Sequence, residues 1–80
     1  MKVKIIRNID NLLNDSASGI QFVKACKFSY PDLTPQQAID DINEFQNHTM
    51  ISNHERIIIV QALAILDREL AIQQRLEKQQ

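Results

Sequence analysis

Eighty residues make a single domain, close to the smallest size at which a hydrophobic core alone stabilises a fold. A composition 44% hydrophobic and 24% charged is too apolar for a disordered chain. The formal charge of −1 lacks the positive excess expected of a nucleic-acid binder.

With three Phe, one Tyr and no Trp, the core must be built from Ile and Leu. One Gly and two Pro leave little material for the tight turns of hairpins, which favours helices over sheet. Cys26 is alone, so no internal disulfide forms and nothing points to an oxidising compartment. The start of the chain, Met1 to Asn8, lacks the apolar core of a signal peptide. Its longest apolar runs are four or five residues, far short of a membrane span. The expected setting is the reduced cytoplasm, away from membranes.

Taken in order, residues 3–14 read as a first helix. Ile5, Ile6, Ile9, Leu12 and Leu13 recur at helical spacing, with Arg7, Asn8, Asp10, Asn11 and Asn14 on the other side. Three Asn and an Asp are weak helix formers. A competing reading makes residues 2–7 a short strand with Val3 and Ile5 on one side. Asp15-Ser16-Ala17-Ser18-Gly19 is a turn, and either Ser is a candidate cap for a helix over 19–29. Phe22, Val23, Ala25 and Cys26 face inward there, and Lys24 and Lys27 outward. Pro31 ends that helix, because it disfavours helical backbone at Tyr30.

Thr34-Pro35-Gln36-Gln37 is the sharpest local signal. Thr caps, Pro occupies the first helical position where its missing N–H costs nothing, and Gln37 closes a capping box. The helix at 35–47 sets Ala38, Ile39, Ile42 and Phe45 against Asp40, Asp41, Asn43 and Glu44. A second capping box, Ser52 to Glu55, opens the longest helix, predicted over 53–77, with a polar tail at 73–80. One stripe of this helix reads Ile59, Ala62, Leu63, Leu66 and Leu70. A second, rotated by roughly a third of a turn at about 100° per residue, reads Ile58, Ile65, Ile72 and Leu76.

The fold class predicted is therefore all-α, a small bundle of three short helices and one long C-terminal helix. The alternative is α+β, with two short strands at about 2–7 and 48–52.

No stretch carries a specific chemical motif. His48 and His54 have no Cys or carboxylate at metal-ligand spacing beside them, and both read as surface residues. His54 falls in the first turn of a helix. Cys26 lies on an apolar face, away from a helix N-terminus, which suits a small buried hydrophobe better than a nucleophile. Asp40, Asp41 and Glu44 are neighbours opposite the apolar stripe, so they read as solvated carboxylates rather than an acid/base pair. The expectation is a non-enzyme without cofactor, metal or small-molecule substrate.

Surfaces carry the remaining information. Residues 1–30 are net positive and residues 31–55 are acidic, with no Lys or Arg among the latter. That polarity suits steering of a partner. Ile72 and Leu76 lie where the first stripe has already turned polar, beyond what a small body can cover. The function expected is a small protein-binding module, a stoichiometric regulator or inhibitor that self-associates as a homodimer. Ile65, Ile72 and Leu76 are its apolar anchors, and Asp40, Asp41 and Glu44 its charged rim. The alternative is a nucleic-acid-associated regulator using Lys2, Lys4, Arg7, Lys24 and Lys27, which predicts salt-sensitive retention on heparin.

Overall fold

The computed structural model describes residues 4–78. Four helices follow one another: α1 (Ile9–Asn14), α2 (Gly19–Ser29), α3 (Pro35–His48) and α4 (Asn53–Lys78). No strand occurs among the described residues, and the all-α reading stands. The alternative strand at 48–52 does not form: His48 ends α3, and residues 49–52 are the link to α4. Of the alternative strand at 2–7, residues 2 and 3 lie outside the described residues.

The caps explain why the helices start where they do. Thr34 Oγ1 accepts from the Gln37 amide at 3.2 Å, and Gln37 Oε1 accepts from the Thr34 amide at 3.0 Å. Ser52 and Glu55 make the same reciprocal pair, at 3.2 and 2.9 Å. Each box satisfies two backbone donors that a helix start otherwise leaves orphaned. Of the two serines before α2, Ser18 caps it by accepting from Gln21, while the buried Ser16 donates to the Leu12 carbonyl.

The N-terminal region departs from expectation. Helix α1 is six residues long and begins at Ile9, so the helix predicted from residue 3 is too long by at least the described residues 4–8. Residues 4–8 run as an irregular strap because their donors find side-chain acceptors elsewhere. The amides of Ile5 and Ile6 both donate to Asp41 Oδ2 at 2.9 Å, and that of Arg7 donates to the Tyr30 hydroxyl at 3.1 Å. The apolar residues still point inward. Ile6, Ile9 and Leu13 are buried, and Ile5 and Leu12 are half-buried.

Helix α4 is the spine. Twenty-six residues span about 39 Å at 1.5 Å per residue, close to the 42 Å long axis of the molecule. Helix α2 lies along α4 in the same direction. The Gly19 amide donates to Gln61 Oε1 at 2.9 Å, and eight residues on, Lys27 Nζ meets Glu69 Oε1 at 2.6 Å. Helix α3 lies antiparallel to α4 on the other flank, joined to it by the four-residue link 49–52, with Ala38 and Ile42 in the core beside Leu66. The core consists of Ile6, Ile9 and Leu13 from the N-terminal segment, Phe22, Val23 and Cys26 from α2, Ala38 and Ile42 from α3, and Ile58, Ile59, Ala62 and Leu66 from α4.

Candidate protein-binding surface

The offset between α2 and α4 decides which α4 residues are covered. Glu69 stands beside Lys27, and α2 ends at Ser29. Beyond about Ala71, α4 therefore has no parallel neighbour, and every residue from Ala71 to Lys78 is exposed. Two large aliphatic side chains lie on this projecting end, one helical turn apart. Ile72 is 53% exposed and Leu76 is 59% exposed. Burying one such side chain is worth about 1.5–3 kcal/mol.

Ile65, predicted to share their surface, is half-buried and packs against the core. It lies one turn from each of Gln61 and Glu69, the residues through which α4 bonds to the two ends of α2, on the side of α4 that α2 packs against. The second stripe thus splits. Ile58 and Ile65 belong to the fold, while Ile72 and Leu76 lie outside it.

The acidic group divides in a similar way. Asp40 and Glu44 are half-buried on the outer side of α3, where with Asn43, Asn47 and His48 they line a shallow polar depression of about 240 Å³. Gln36 Nε2 donates to Asp40 Oδ1 at 3.0 Å. Asp41 departs from the predicted solvated rim, being only 4% exposed. Its carboxylate accepts the two strap amides from 35 and 36 residues away along the chain. A carboxylate used in this way is desolvated but well supplied with donors, which makes its burial tolerable.

Of the basic residues, Lys2 lies outside the described part. Lys4, Arg7 and Lys24 are exposed, and Lys27 is bridged to Glu69. His48 and His54 are exposed. Among the described residues no three His, Cys, Asp or Glu side chains converge in a manner that holds a metal ion. Burial pushes the Cys26 thiol up from 9.0 to about 11, the opposite of what a thiolate nucleophile requires. Beside it is a void of only about 10 Å³, at the lower limit for a single water.

Other apolar side chains are exposed that the two stripes of α4 do not mark. Ile57 and Val60 point outward from α4, Ile20 and Phe28 from α2, and Met50 from the link between α3 and α4. For Ile57 and Val60 a signal was present. Four consecutive apolar residues, Ile57 to Val60, span nearly a full helical turn, so some of them must face away from a core on one side.

No helix of the described residues is long and apolar enough to cross a membrane. Comparison with family models, with curated proteins and with solved structures finds no match.

Proposed function

We propose that this chain is a small non-catalytic protein-binding module of the cytoplasm, a stoichiometric regulator or inhibitor that self-associates through the free end of α4. The observation that carries this reading is the exposure of Ile72 and Leu76 on a segment that its own fold leaves uncovered. Apolar side chains held on a rigid helix lose little entropy on docking, which suits a recognition element. Asp40 and Glu44 supply acidic groups on a separate face, and Asp41 is withdrawn from that role by its bonds to the strap.

Size sets a condition on the proposal. A stable dimer buries about 800 Å² per partner, well above what two partly covered aliphatic side chains offer. The contact must therefore extend along the helix. Ile57 is an exposed aliphatic residue about 60° around the axis from Ile72, at 100° per residue. The nucleic-acid alternative gains no support from Lys27, whose ammonium is already bridged to Glu69.

Amide spectra recorded over a range of protein concentration test the proposal. Shifts that grow with concentration and centre on residues 70–78 are expected. Concentration-dependent shifts confined to α1 and the strap would place the contact elsewhere.

A further inference from the structure

Three consecutive backbone donors, those of Ile5, Ile6 and Arg7, are held by side chains of the body rather than by a helix or sheet. Asp41 Oδ2 takes the first two at 2.9 Å each, and the Tyr30 hydroxyl takes the third at 3.1 Å. Asp41 is nearly fully buried, and of its two charge-assisted bonds the one from Ile6 is buried and the one from Ile5 partly so. The strap leads directly into α1, whose six residues are too few to hold a helix unaided. Asn8, at the start of α1, makes no side-chain cap bond. Helix α1 thus depends on the burial of Ile9 and Leu13, and on the strap that delivers it to α2 and α4.

We infer that the strap and α1, residues 4–14, form one releasable cover latched by Asp41, which opens as a unit while α2, α3 and α4 stay folded. The three remaining helices hold one another through the α2–α4 and α3–α4 contacts, in which the cover takes no part. Opening frees the Asp41 carboxylate and uncovers the sides of α2 and α4 against which α1 packs. The molecule thereby carries a second apolar surface, hidden in the closed state and remote in sequence from the free end of α4. Local opening of a small, weakly packed unit below the global unfolding free energy is a general property of folded chains.

Native-state hydrogen exchange on the full chain tests the inference, with wild type compared against Asp41→Ala. Ala is the best helix former, so α3 itself keeps its backbone. The amides of Ile5 and Ile6 report the latch. Those of Leu12 and Asp15, bonded to the Asn8 and Asn11 carbonyls, report α1. Those of Phe22, Ala38 and Arg56 report the other helices. Loss of a hydrogen bond to a charged group predicts exchange about 10- to 100-fold faster at Ile5, Ile6, Leu12 and Asp15 together, with the other three unchanged. Acceleration at Ile5 and Ile6 without Leu12 and Asp15 would overturn the inference. Equal acceleration in all seven amides would do the same. Should the alanine variant fail to fold, Asp41→Asn keeps one neutral acceptor, and the same four amides are expected to accelerate by a smaller factor.

Discussion

Gly19 and Gln61 approach so closely that a Cβ built on Gly19 would lie 2.3 Å from the Gln61 Cβ and 2.7 Å from the Ala62 backbone nitrogen. The glycine is there because two helix backbones meet at that point, and its amide donates to Gln61 Oε1 across the gap. Gly19→Ala is therefore expected to destabilise the fold by about 1–3 kcal/mol, the usual cost of overpacking, as read from a urea midpoint. Shortening Gln61 to Ala should not restore stability, because the Cβ and backbone of residue 61 and the amide of Ala62 remain in place.

The two capping boxes give a second prediction. Thr34→Ala and Ser52→Ala each remove a hydroxyl that accepts a backbone donor at the first turn of its helix. Each is expected to cost about 0.5–2 kcal/mol. Thermal denaturation followed by circular dichroism would show both, with the two effects close to additive in the double variant, since the caps share no partner.

Those caps were legible in the sequence because a box is a local signal, complete within four residues. The spans of α2, α3 and α4 follow from them, from Pro31 and from the apolar spacing. The N-terminus was legible in one respect only. Ile6, Ile9 and Leu13 were correctly placed inward, but the backbone of residues 4–8 takes its form from Asp41, more than thirty residues away. No local pattern encodes such a partner, and for the same reason Asp41 read as a solvated carboxylate. Ile65 and Ile72 are equivalent by spacing on α4. The polar turn of the first stripe marked Ile72 as uncovered, but the covering of Ile65 depends on where α2 lies, a fact of packing rather than of periodicity.

Cys26 yields a prediction about pH. The unfolded chain loses the thiol proton near 9.0 and the folded chain near 11, because burial disfavours the thiolate. Between these values the unfolded state binds fewer protons than the folded one. Stability present below the lower value therefore falls as pH rises, by at most about 1.4 kcal/mol per unit from this group. Denaturation of wild type and Cys26→Ala at successive pH values should show the wild-type slope to be the steeper over that window. The thiol should also resist alkylation at pH 8 in the folded chain and react once urea unfolds it.

If the uncovered end of α4 is a contact surface, removing its apolar side chains abolishes association. Equilibrium sedimentation of wild type, Ile72→Asp and Leu76→Asp decides this. Both substitutions fall on exposed positions and should leave stability within about 0.5 kcal/mol of wild type. Wild type is expected to associate with rising concentration, and the two folded variants to sediment as monomers. Three folded species that all sediment as monomers, or variants that associate as tightly as wild type, would contradict it.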